Sequence, residues 1–222
     1  RLAMGCVIDL DHEGRRLNTR LAKVAIKSHA RLTYEQVAKM LTGDEDIPHW
    51  FKQSLSALDS CAKALRGRRV ADGTIILRSH ETKFQFGDNG EVSSLLEVDR
   101  LWSHQLIEEC MLCANMAVGR LMHESSVPLI YRAHSEPLNE KVNAFQSYLK
   151  FHQIDLPDNP TPKDLQSVLD ACQNKPDFHA IEMMVLRTLS QAFYSSEEIS
   201  HYALSTDYYT HFTSPIRRYV DL

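Results

Sequence analysis

"LWSHQLIEECMLCANMAVGRLMHE", residues 101–124, contains no proline and carries apolar residues on most of its sides. A surface helix shows a single apolar stripe, whereas one that is apolar nearly all round has to be covered on several faces. The segment is therefore predicted to be a long helix buried near the centre of the molecule. Upstream of it the chain reads as strands and then helices, and downstream as helices joined by short loops.

"RLAMGCVIDL" and "RLNTRLAKVAIKSHA" are β-type runs joined by the turn-like "DHEGR". "TYEQVAKMLTG" is a helix, with Thr33 as N-cap and Gly43 as its stop. "HWFKQSLSALDSCAKALRGRR" places Phe51, Leu55, Leu58, Ala62 and Leu65 on one helical face. "GTIILRSHETKFQFGDNGEVSSLLEVD" is a strand pair around the Asp88-Asn89-Gly90 turn. After residue 124, "NEKVNAFQSYLKFHQI", "KDLQSVLDACQN" and "FHAIEMMVLRTLSQAFY" read as helices, "DLPDNPTP" as a loop and "SHYALS" as a short strand. The fold class is α+β, with antiparallel strands in the first half packed against a predominantly helical second half.

A chain of 222 residues with 43% hydrophobic and 24% charged residues can bury a core, which excludes a disordered polyelectrolyte. No apolar run approaches the ~18 residues of a membrane span, and no signal peptide opens the chain, so a soluble protein without a membrane partner is expected. The opening strand-like run and the abrupt end read as internal positions of a longer protein. Five scattered cysteines fit a reducing, cytoplasmic setting better than a disulfide framework. A net charge of −4 gives no overall nucleic-acid footprint, so a basic surface for RNA must be local or supplied by other parts.

Several motifs read as structure. Cys110-Met-Leu-Cys113 lies inside the predicted buried helix, whereas a zinc or redox pair sits at a turn or a helix start, and zinc needs further ligands. "HESSV" lacks the second histidine of a zinc helix. "DLDHEG", residues 9–14, gathers three carboxylates in a hairpin turn, and a hard cation needs more convergent oxygens than that.

"HFTSPIRRY", residues 211–219, is different. Thr213 or Ser214 is a candidate N-cap and Pro215 a candidate first helical residue. A helix start gathers free N–H groups that suit a phosphate, and an arginine there adds a bidentate fork. Helical neighbours point about 100° apart, so Arg217 and Arg218 cannot both face one site.

Together with "RLAM", "SHARLTYEQV", "ETKF", "LIEECMLCAN" and "YRAH", the segment "HYALSTDYYTHFTSPIRRY" resembles the ribonuclease II / ribonuclease R family, the RNB catalytic domain, and is nearer to ribonuclease R. The resemblance covers nearly the whole chain. It implies a 3′→5′ exoribonuclease that processively hydrolyses single-stranded RNA to nucleoside 5′-monophosphates, using Mg²⁺ or Mn²⁺. By the same resemblance Arg217 is the catalytic arginine beside the scissile phosphate. Tyr34 packs near the terminal nucleotides, and Glu108 contacts the terminal sugar, with Glu109 as its rival. Thr213 and Ser214 cap the arginine helix and add phosphate contacts.

Two departures follow from the same likeness. The family's aspartate cluster would lie upstream of "RLAM", so the metal ligands are expected outside these residues, as are small RNA-binding barrels. The chain is then a partial domain over residues 1–222, inactive by itself and expected to be monomeric. An aromatic that clamps RNA bases in some members falls at Leu77, which can pack against a base but not stack. The alternatives are a non-catalytic RNA-binding module and a redox or zinc protein built on the CxxC pair.

Overall fold

The structure, a computed structural model, describes residues 1–77, 81–87, 89–98 and 100–221. Strands β1 (Leu2–Leu10) and β2 (Arg16–Ala25) form an antiparallel hairpin with Cys6 opposite Leu21. The hairpin turn consumes the acidic motif. Asp11 Oδ1 accepts the backbone N–H groups of Glu13 (2.9 Å) and Arg15 (2.8 Å), which holds its carboxyl below the usual range. Gly14 adopts φ +77° and lies so close to α2 that a Cβ would meet the Ala64 carbonyl at 3.0 Å.

Helix α1 (Tyr34–Thr42) begins with a capping box between Thr33 and Gln36 and ends at Gly43, φ +89°. Helix α2 (His49–Ala71) buries Leu55, Ala62 and Leu65 from the stripe anticipated above. Helix α3 (Trp102–Glu124) packs on α1, α2 and the β1–β2 hairpin; it buries Leu106, Ala117 and Val118, but much of it is only half-buried and Ile107 is exposed, so it is less enclosed than its apolar residues suggest. The Trp102 indole N–H donates to Asp59 at 2.7 Å, and Arg66 and Arg69 reach Glu109 further along. Helices α2 and α3 therefore run parallel.

Strands β3 (Glu81–Phe86) and β4 (Val92–Val98) make the second hairpin. Residues 74–77, the proposed start of its first strand, are not strand, and Asp88 of the predicted turn lies outside the described residues. The helical second half is α4 (Asn139–Leu149), α5 (Pro162–Cys172) and α6 (Phe178–Thr188). Their core is built from Phe145, Leu149, Leu165, Leu169, Ile181 and Val185. Two three-residue strands, β5 (Tyr131–Ala133) and β6 (Phe193–Ser195), pair antiparallel.

Three more expectations are corrected. The last helix ends at Thr188 instead of running to Tyr194, and Phe193–Ser195 is strand. "SHYALS" is a 3-10 turn at Tyr202–Leu204, not a strand, because His201 Nδ1 accepts the Leu204 N–H and Thr74 donates its hydroxyl to the Leu204 carbonyl. No helix starts at Pro215, and Thr213 and Ser214 cap none. Ser214 (φ +53°) and Ile216 (φ +72°) are left-handed, and only a 3-10 turn at Tyr219–Asp221 follows. The cause is tertiary: the Thr213 N–H and hydroxyl are bonded to Asn115 of α3.

Candidate functional site

His104, Glu108, Asn115 and Gly119 fall at i, i+4, i+11 and i+15 on α3, within about 60° of one another round the helix. This stripe carries the predicted site residues from one end to the other. At its N-terminal end the Tyr34 ring, the first residue of α1, stacks on His104 with centroids 4.1 Å apart. The Ser103 hydroxyl donates to the Tyr34 carbonyl at 2.7 Å and fixes that stack. Tyr34 keeps 43% of its surface exposed, so its free face is open. The Nδ1 atom of His104 is buried without a hydrogen-bond partner among the described residues.

Glu108 comes one turn later, partly exposed and ion-paired with Arg100. Glu109 points elsewhere. Only 1% of it is exposed, and it accepts a bidentate pair from Arg69 (2.7 Å to each oxygen) plus a longer contact from Arg66 at 3.5 Å. Adjacent helical residues diverge by about 100°, so the doublet is divided between solvent and interior.

The arginine segment lies along the other half of the stripe. Tyr208 crosses Gly119, where a Cβ would lie 3.1 Å from the Tyr208 carbonyl. The Tyr208 ring stacks on His123 (4.0 Å), whose Nδ1 meets Glu198 at 2.8 Å. Asn115 then fastens the chain. Its Oδ1 accepts from the Phe212 N–H (3.0 Å), the Thr213 N–H (2.9 Å) and the Thr213 hydroxyl (3.1 Å). Its Nδ2 donates to the buried Tyr209 hydroxyl at 3.0 Å. Passing Gly119 first and Asn115 second, the segment runs antiparallel to α3, towards the Glu108 end.

The two arginines have separate fates. Arg218 turns inward, donating to the Thr213 carbonyl at 3.0 Å and pairing with Asp221 at 3.0 Å. Arg217 is exposed and makes no hydrogen bond or ion pair among the described residues. Ser214 is exposed beside it. Leu77 is half-buried and packs against the α4–α6 core, away from these groups. Sequence reasoning missed His104 and Asn115. Both had a readable signal, since they share a helical face with Glu108.

The arrangement offers an aromatic platform, a partly exposed carboxylate paired with Arg100 and an exposed guanidinium on the loop that Asn115 fastens. It does not offer a divalent-cation site. Among the described residues no group of three histidine, cysteine or acidic side chains could hold a metal. Asp9 and Asp11 are engaged with Asn18 and the turn backbone. Burial pushes the Cys113 thiol up to about 12, with Cys61 and Cys110 adding to the effect, which disfavours its thiolate. Among the described residues no helix is long and apolar enough to cross a membrane.

The RNB domain model matches residues 1–222. The chain belongs to the RNB domain family. This RNB domain is 34% identical to ribonuclease R of Escherichia coli K12, over all of the chain and 28% of that protein. Its structure superposes on Mycoplasma genitalium RNase R in complex with ribose-methylated single-stranded RNA with a TM-score of 0.93 at 29% identity, covering all of the chain and 35% of that one. It shares its fold, at 20% identity and a TM-score of 0.71, with yeast Ssd1, a pseudonuclease, over 99% of the chain and 28% of that one. The chain thus spans about a third or less of the proteins it resembles.

Proposed function

We propose that these residues are the part of an RNB exoribonuclease that grips the 3′ end of an RNA strand and presents its terminal phosphodiester for metal-assisted hydrolysis. The observation that carries this reading is the single α3 stripe joining Tyr34 and His104, Glu108, and the loop fastened by Asn115. In this reading the Tyr34 face receives a base without regard to sequence, because every base has a π-face. Glu108 accepts a hydrogen bond from the terminal ribose 2′-hydroxyl, which favours RNA over DNA. Arg217 donates to the phosphate and offsets the negative charge that builds on its oxygens. Glu109 holds the register of α3 against α2 and does not touch substrate.

By the family resemblance, the Mg²⁺ or Mn²⁺ ligands are assigned to parts of the protein outside residues 1–222. The chain is read as a partial domain, inactive alone, of a cytoplasmic and monomeric enzyme that releases nucleoside 5′-monophosphates processively. The test is hydrolysis of a 5′-labelled single-stranded oligoribonucleotide by the full-length protein with Mg²⁺. Stepwise shortening from the 3′ end, abolished by EDTA and strongly reduced in Arg217→Ala, is expected. Glu108→Ala should narrow the preference for RNA over DNA. Binding without shortening would instead assign the protein to the non-catalytic class, a reading kept open by the fold shared with a pseudonuclease.

A further inference from the structure

We infer that the groove between the chain leaving β2 and the start of α2 is a second base-stacking subsite for single-stranded RNA, with Trp50 as its platform; this rests on the RNA reading above. Lys27, His29 and Leu32 on one side and Trp50, Phe51 and Ser54 on the other line an open groove of about 640 Å³. Trp50 is 57% exposed. Phe51 lies 5.3 Å away between ring centroids with its plane tilted by 36°, and His29 lies 6.3 Å away with its plane tilted by 34°. A half-exposed indole flanked by two rings is a surface suited to another flat ring.

Two features commit the groove to RNA. Lys27 and Arg31 are exposed and make no ion pair among the described residues, so they are free for phosphates. Helix α2, with Pro48 at its N-cap position, has no side-chain cap; the Phe51 N–H closes onto the Pro48 carbonyl at 2.9 Å, and the His49 and Trp50 N–H groups make no hydrogen bond among the described residues.

The groove is also continuous with the site already described. The segment that carries His29 and Arg31 runs directly into Tyr34. Because α2 and α3 are parallel and Asp59 meets Trp102, Trp50 lies about 13 Å beyond the start of α3 along α2. A strand whose 3′-terminal base rests at Tyr34 and His104 would place bases nearer its 5′ end over Trp50.

The experiment uses the full-length enzyme in EDTA, so that RNA is held but not cut, and measures Kd for oligoribonucleotides of increasing length. Wild type should gain affinity with length. Trp50→Ala should lose about fivefold or more of that affinity for the longest oligomers, the range of one lost base stack. Trp50→Phe should restore most of it, and His29→Ala, a change on an exposed segment, should move it in the same direction as Trp50→Ala. An unchanged length dependence in Trp50→Ala, with wild type binding normally, overturns the subsite and leaves the RNA reading intact. Failure of wild type to bind RNA at any length overturns both.

Discussion

Asn115→Ala isolates the contact that sets the arginine loop. The substitution removes one acceptor that takes three hydrogen bonds and one donor to Tyr209. It leaves the Phe212 and Thr213 N–H groups without a protein partner. A stranded N–H costs about 1–3 kcal/mol when buried, and these residues are half-buried, so the lower end applies to each. The loop's preference for its present path should fall by about 2–3 kcal/mol. Since 1.36 kcal/mol is a factor of ten, kcat of the full-length enzyme on single-stranded RNA should drop by about 30-fold or more.

KM should change far less, because the Tyr34, His104 and Glu108 groups are untouched. Asn115→Asp keeps the acceptor, and the Tyr209 hydroxyl can then donate to it, so this variant should recover most of the loss. Single-turnover kinetics separates the two parameters. An Asn115→Ala enzyme with unchanged kcat would show that the loop holds its shape without α3, and the reasoning would fail.

Glu109→Gln leaves the Arg69 guanidinium, with only 11% of its side chain exposed, facing a neutral group; breaking such a pair should lower unfolding stability by about 3–5 kcal/mol in a urea titration, while the RNA/DNA preference stays as in wild type. A loss below about 1 kcal/mol would deny Glu109 its structural role. Acid should weaken the β5–β6 corner. His201 is pushed down to about 4 by burial and by His134 stacked at 5.0 Å, with Arg132 and His211 also disfavouring its proton. It is thus neutral when folded, with an ordinary value near 6.5 when unfolded. Its stabilisation is complete above about pH 6.5 and lost as pH falls towards 4, by up to about 3 kcal/mol. His201→Phe should flatten that part of the stability–pH curve, and an unchanged slope would refute the assignment.

What the sequence makes legible depends on how far each determinant lies along the chain. Thr33, Gln36 and Gly43 bound α1 through contacts within a few residues, so its ends could be read directly. The existence and length of α3 could be read from its own proline-free, apolar-rich residues. By contrast, β5 and β6 have three residues each, too few to show alternation, and pair across a separation of 60 to 64 residues. The arginine segment is the clearest conflict between local and distant signals. Thr-Ser-Pro is a strong local instruction to begin a helix, yet three hydrogen bonds to Asn115, about one hundred residues earlier, hold the cap residues in another shape.

That override places two non-glycine residues, Ser214 and Ile216, at positive φ immediately before Arg217. Such strain, of order 1–3 kcal/mol per residue, persists only where surrounding contacts over-determine the path. Here they do, with Asn115 and Gly119 below and the Arg218–Asp221 pair closing the loop. A helix would have spread the two arginines on a regular surface about 100° apart. The strained loop instead commits Arg218 to holding the backbone and leaves Arg217 free. The Glu108–Glu109 doublet is divided in the same way, one member bonded inward to Arg69 and the other partly exposed at the surface, where it pairs with Arg100. In both pairs the inward residue fixes the geometry that makes its neighbour available, and neither division could be read from the adjacent letters alone.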